Sequence, residues 1–369
     1  MKKILVLTLL VISLMLVGCD AGFIIMTPDE PISSGGTTEY KQTEGITVVP
    51  SLKDEITADS AWCATFQLVW NDLKNEYVKQ DVEFAIPNQM MENLNQETFT
   101  EDMISDEYYY KTWGKKTLEM KEKIEKGIKE KFNETSDLLD KVDWENLDSE
   151  DSERMIFYTM LRRDFEYPKE FTKLAEGKFG DEYENVKYFG INGSSNDQLD
   201  SQVRVLFYNS DEEYAVALET KNGDEVILYK SPTGKTFEEI YSNLTDRADA
   251  YKGKKAFDEI DQLKVPYVKM NELREYHELC GNPFLTADGK DVIIDQAMQT
   301  IQFEIDEKGG KIKSEAVITT KENAMVMPDE EEPRYFYFDD TFAMFLKEES
   351  KDMPYFGILI DDITKYQAK

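Results

Sequence analysis

Apolar and polar positions alternate most sharply over residues 298–320. Ile301, Phe303 and Ile305 alternate with Gln302, Glu304 and Asp306, the period of a half-buried strand. Glu307-Lys308-Gly309-Gly310 then interrupts the pattern, and two residues without a Cβ predict a hinge. Beyond it Gly310, Ile312, Ser314, Ala316, Ile318 and Thr320 fall on one side, and Lys311, Lys313 and Glu315 on the other. A second strand pattern with one uncharged face therefore follows a flexible joint. Residues 321–333 lack any period and predict an exposed loop. Strands are also expected at residues 203–208, 214–219 and 226–229, the last two joined by an Asn222-Gly223 hairpin turn. The stripe Trp62, Phe66, Val69, Trp70 and Leu73 predicts a helix from about residue 57. A second stripe, Trp113, Thr117, Met120, Ile124 and Ile128, predicts a helix within residues 104–132 whose other face is Lys/Glu-rich. Residues 273–281 also read as helical. Both stripes are read as core.

The first residues change the picture by adding a leader. Lys2-Lys3 precedes an apolar run over residues 4–17, short for a membrane span and right for a signal-peptide core. It ends in Leu16-Val17-Gly18-Cys19, which resembles the bacterial lipoprotein box. The resemblance implies that Cys19 is lipidated and that the mature protein sits outside the cytoplasmic membrane. Pro28, Pro31 and Ser33-Ser34-Gly35-Gly36 give the next stretch a tether composition. The expected organisation is a signal peptide at 1–19, a tether at 20–52 and one domain at 53–369. Cys63 and Cys280 then remain, so one disulfide at most is available and none is required; both read as core residues.

Composition mainly removes function classes. The net charge of −32, from 43 basic and 75 acidic residues, disfavours a nucleic-acid partner. His277 is the single histidine, and nothing around it resembles a nucleophile elbow. One histidine and no paired cysteines support no zinc site. Asp329-Glu330-Glu331-Glu332 reads as a solvated charge run, with a weak calcium site as the alternative. Ser231-Pro232-Thr233-Gly234-Lys235-Thr236 lacks the first glycine of a phosphate loop, since position 229 is tyrosine. No enzyme and no cofactor is expected.

Phe303-Glu304-Ile305-Asp306-Glu307-Lys308-Gly309-Gly310 followed by small or alternating residues resembles the proximal hinge of the serpins. Residues 335–346, rich in aromatics, resemble the serpin strand after the reactive loop, and Pro354-Tyr355-Phe356-Gly357 resembles the closing strand. Phe84-Ala85-Ile86-Pro87 stands where the family has Phe-Phe-Ser-Pro, with Ile86 in place of the serine. Residues 155–161 resemble the family's passage into a central strand, which implies a strand there, and Phe165-Glu166-Tyr167-Pro168 stands where a tryptophan is usual. The resemblance implies an α+β fold with large mixed and antiparallel sheets, a reduced helical half and an exposed reactive-centre-type loop. It further implies a monomeric inhibitor of an extracellular serine or cysteine endopeptidase that is cleaved in the loop and inserts the freed strand. Glu307, Lys308, Gly309, Gly310, Ile312, Ser314 and Ala316 would form the hinge. The family's spacing puts the scissile bond near Asn323-Ala324, while the longer stretch to Phe338 brings in Met325 or Met327. The alternatives are a non-inhibitory binding or structural lipoprotein on the same scaffold, and an unrelated solute-binding lipoprotein.

Overall fold

Residues 42–144, 154–193, 197–310 and 332–367 are described by the computed structural model, and they form an α+β fold. In chain order the N-terminal part carries β1 (Thr47–Val49), β2 (Ser60–Cys63), α1 (Thr65–Asp72), α2 (Gln89–Asn95), β3 (Tyr109–Lys115) and α3 (Leu118–Phe132). There follow β4 (Met155–Leu161), β5 (Phe165–Glu166), β6 (Thr172–Lys173), β7 (Gly177–Phe179), β8 (Tyr183–Val186), β9 (Tyr188–Asn192) and α4 (Asp197–Asp200). The middle holds β10 (Val203–Ser210), β11 (Glu213–Glu219), β12 (Asp224–Lys230), α5 (Phe237–Ala250), β13 (Gln262–Pro266) and β14 (Val268–Glu275). The last part holds β15 (Phe284–Leu285), β16 (Asp291–Val292), β17 (Met298–Asp306), β18 (Gly309–Gly310), β19 (Tyr335–Tyr337), β20 (Phe342–Glu348) and β21 (Phe356–Ile360).

The largest sheet is seven-stranded, in the order β1-β2-β21-β20-β12-β11-β10. Its interior strand β12 is buried along its whole length, so both of its faces must be covered. On one side α5 supplies Phe237 and Tyr241 against Phe345. Thr236 caps that helix by accepting from the Glu239 amide, which is what the residues before it do instead of cradling a phosphate. Elsewhere Phe356 stacks on Phe303 of β17, with ring centroids 4.8 Å apart. A second sheet runs β14-β17-β18-β5, a third runs β19-β13-β9-β6, and β3 pairs with β4 alone.

Three of the expected helices are corrected. The helix expected from about residue 57 begins at Thr65, because Ser60–Cys63 is a wholly buried strand paired with β1 and β21; Trp62 belongs to a sheet. Residues 109–115 are strand, not helix: Trp113 lies on β3 and stacks on Phe157 of β4, its ring nearly parallel at 14°. Only α3 is helical there, capped by Thr117 and burying Ile124 and Ile128. Residues 273–281 continue β14 to Glu275 and then make one short turn at His277–Leu279.

The body also begins upstream of residue 53. Val48, Val49 and Leu52 are buried, and Thr43 donates its amide to Asn271 O at 2.9 Å while its hydroxyl accepts from the Asn271 amide at 3.1 Å. The expected strands at 155–161, 203–208, 214–219 and 226–229 are present as β4, β10, β11 and β12. Gly223 takes the φ of +74° that their connecting turn requires.

Candidate functional site

β17 ends in a two-residue turn, and the hinge residues continue it as a hairpin. Asp306 Oδ1 accepts from the amides of Lys308, at 2.8 Å, and Gly309, at 3.3 Å, a side-chain turn of the kind aspartate favours. The chain reverses there, so that Ile305 faces Gly310 and Asp306 faces Gly309. On its other flank the same dipeptide pairs antiparallel with β5, Gly309 with Glu166 and Gly310 with Phe165. Gly309-Gly310 thus lies between two strands, inside a sheet rather than above it.

Both glycines are dictated by Phe165. A Cβ on Gly309, whose φ is +145°, would collide with the Phe165 carbonyl oxygen, and one on Gly310 would collide with the Phe165 ring. The turn itself is held from outside: Lys308 O accepts from Tyr167 N at 2.9 Å and Glu307 O from Phe171 N at 2.8 Å. The Glu307 carboxylate, buried, accepts from the Tyr267 hydroxyl at 2.6 Å and pairs with Lys173 at 3.1 Å. Burial pushes this carboxyl up, but the Tyr267 and Lys173 contacts outweigh it and hold it below the usual carboxylate range.

Beneath β5 lies a group of polar residues that periodicity did not single out. The Arg163 guanidinium, 3% exposed, donates from Nε to Asp224 Oδ2 and from Nη2 to Asn222 O, and it stacks under the Tyr108 ring. Asp224 also accepts from the Tyr355 hydroxyl at 3.2 Å. Burial raises the Asp224 carboxyl, and Arg163 draws it back. Asn222 donates its amide to Asp164 O at 3.0 Å, and Lys221 reaches Glu166 twice, through its backbone amide and its ammonium. Arg163 and Asp224 are 61 positions apart; the one local signal of their meeting was the Asn222-Gly223 turn.

The chain is described again from Glu332, and Arg334 fixes it at once. Its guanidinium grips Asp261 with Nε, at 3.2 Å, and Nη2, at 2.6 Å, and donates to the carbonyls of Lys254 and Ala256. β19 then pairs parallel with β13. Lys230 and Lys264 share Asp339 just beyond it, at 3.1 and 2.9 Å.

Glu307, Lys308, Gly309 and Gly310 are therefore brought together with β17, β5 and Tyr267. Ile312, Ser314, Ala316, Asn323, Ala324, Met325, Met327 and Cys19 lie outside the described residues, as do Asp329, Glu330 and Glu331. His277 sits exposed beside Glu275, at 3.1 Å, and touches none of this. Cys63 and Cys280 are free thiols, the first buried and the second half-buried.

No protein-family model matches the chain, and no curated protein matches it. The solved structures to which it is similar include serpins. Serpin48 of the insect Tenebrio molitor, described as highly specific, is 11% identical with a TM-score of 0.47, over 82% of this chain and 92% of that one. SRPN18 of Anopheles gambiae is 10% identical with a TM-score of 0.47, over 82% of this chain and 92% of that one. Thyroxine-binding globulin in its complex with thyroxine is 12% identical with a TM-score of 0.39, over 66% of this chain and 64% of that one.

Proposed function

We propose that this chain is a serpin-like inhibitor of an extracellular serine or cysteine endopeptidase, anchored to the membrane through lipid on Cys19. The peptidase cleaves within residues 321–333, and the freed segment after Gly310 joins the second sheet as a full strand. The observation that carries this reading is the double pairing of Gly309-Gly310: the first two residues of the segment already sit antiparallel between β17 and β5.

Continuing those registers gives a chemical test of the reading. On the β17 side Ile312 meets Phe303, Ser314 meets Ile301 and Ala316 meets Gln299, and on the other side they meet Arg163, Leu161 and Thr159. Ile301 and Gln299 are buried and Phe303 packs on Phe356, so the uncharged face is the one turned inward. Lys311, on the opposite face, falls between Glu304 and Asp164. No lone charge has to be buried, a step that would cost several kcal/mol.

A second reading, a non-inhibitory binding or structural lipoprotein on this scaffold, is favoured by two local departures. Ile86 is 72% exposed where the family's turn carries serine, and Phe165-Glu166-Tyr167-Pro168 holds no tryptophan. Mixing residues 20–369 with a panel of serine and cysteine peptidases separates the two. A covalent complex that survives denaturing electrophoresis supports inhibition, and Ile312→Asp should turn that inhibitor into a cleaved substrate. Cleavage within residues 321–333 with no complex for any peptidase contradicts it.

A further inference from the structure

β5 is only two residues long and could not hold its place by its own ladder, yet it is the strand against which Gly309-Gly310 is set. Its position is fixed from a different sheet. The turn between β11 and β12 sends five bonds into residues 163–166: Arg163 Nε to Asp224 Oδ2, Arg163 Nη2 to Asn222 O, Asn222 Nδ2 to Asp164 O, Lys221 N to Glu166 O, and the Lys221 ammonium to the Glu166 carboxylate. Two of these are made by side chains at the surface, Lys221 and Asn222, and two by a guanidinium that is buried against a buried carboxylate. Asp224 is itself the first residue of β12, a fully buried interior strand of the seven-stranded sheet. The turn therefore ties a two-residue strand to a strand that is buried along its whole length.

We infer that the β11–β12 turn is a positioning latch for strand addition: Lys221, Asn222 and Asp224 hold β5 in register so that the hinge glycines have a template on their second flank. This rests on the insertion reading above and deepens it, because it assigns the nucleation of the new strand to residues that touch neither the loop nor the peptidase. When the latch is opened, Gly309-Gly310 keeps β17 but loses β5, and the segment that follows starts toward β4 without a set register on that flank. Peptidase recognition is untouched, since no latch residue lies in residues 321–333.

The test uses the Lys221→Ala/Asn222→Ala pair, whose side chains are exposed or half-buried at the turn and leave the core intact, together with Lys221→Arg as the conservative variant. In the uncleaved chain, hydrogen exchange at the Tyr167 amide, bonded to Lys308 O, should be about tenfold faster in the double variant and close to wild type in Lys221→Arg, because local opening sets that rate. Unchanged exchange at Tyr167 in the double variant overturns the latch, whatever happens on cleavage. After loop cleavage, wild type and double variant should be cut at the same rate, with the rise in thermal stability arriving about tenfold more slowly in the double variant. An equally fast rise, with Tyr167 deprotected, also overturns it. If the wild type shows no rise at all, the insertion reading fails and the exchange result alone decides the latch.

Discussion

Gly309 and Gly310 owe their identity to one neighbour. Phe165 approaches both so closely that a single methyl group must displace a carbonyl oxygen or an aromatic ring, and at Gly309 the φ of +145° adds backbone strain. Gly309→Ala is therefore expected to lower the folding free energy by about 1–3 kcal/mol, read as a shift in the urea midpoint; a neutral substitution would mean that β5 does not press on the hinge. Another residue at this scale responds to pH. Glu272 on β14 is buried, its Oε2 accepts only a Gln42 amide at 3.2 Å, and its Oε1 has no hydrogen-bond partner among the described residues. Tyr366 lies close by, and the burial pushes the Glu272 carboxyl up to about 7 while the Gln42 hydrogen bond draws it back. A raised carboxyl binds a proton in the folded chain at pH values where the unfolded chain has lost it, so it penalises folding above its unfolded range. The penalty grows from the ordinary glutamate range up through about pH 7 and is constant beyond. Glu272→Gln should gain about 1–3 kcal/mol at pH 8 and nothing at pH 4, measured by thermal melts across that range.

Elements decide how the two ends of the loop segment behave. The proximal end leaves a two-residue turn, whereas the distal end is clamped by Arg334 on Asp261 before β19 begins. Removing the guanidinium strands a carboxylate that is almost wholly buried. Arg334→Ala is expected to cost about 3 kcal/mol in urea unfolding, and Asp261→Asn combined with it should cost much less than the sum. Additive losses would show that the pair is not a unit. The same scale explains what could be read from the sequence. β17, β11 and β12 have apolar positions in alternating or continuous runs, and the Asn222-Gly223 turn between the last two is a local signal, so all three were legible. β2 was not, because all four of its residues are buried: a strand without a polar face has no period of two, and its Trp62 fell by chance into line with the stripe of α1. β3 is half-buried along its length, and its Trp113 was drawn into the helix that begins at Leu118. Glu307, Lys308, Gly309 and Gly310 announced a hinge, but nothing local announced that it would lie between two strands. That follows from Phe165 and from the Arg163–Asp224 pair, contacts between residues far apart in the chain.

At the scale of the whole molecule, the proposal is that cleavage adds one strand to the second sheet. Among the described residues the second sheet holds β14, β17 and β5 with Gly309-Gly310 between the last two, and β4 is paired with β3. Adding a strand would satisfy backbone groups along β17 and β4 and bury the uncharged face of residues 310–316. The order of charges bears on how readily this occurs: Lys311→Glu would set three carboxylates, with Glu304 and Asp164, side by side. Complex formation with the cognate peptidase is expected to fall about tenfold in that variant, and an unchanged yield would show that the register does not continue past Gly310. The most direct measurement is the melting temperature of residues 20–369 before and after a single cut within residues 321–333. Strand addition predicts a cleaved form that melts well above the intact one, by about 10 °C or more. A cleaved form that melts at or below the intact one would contradict it.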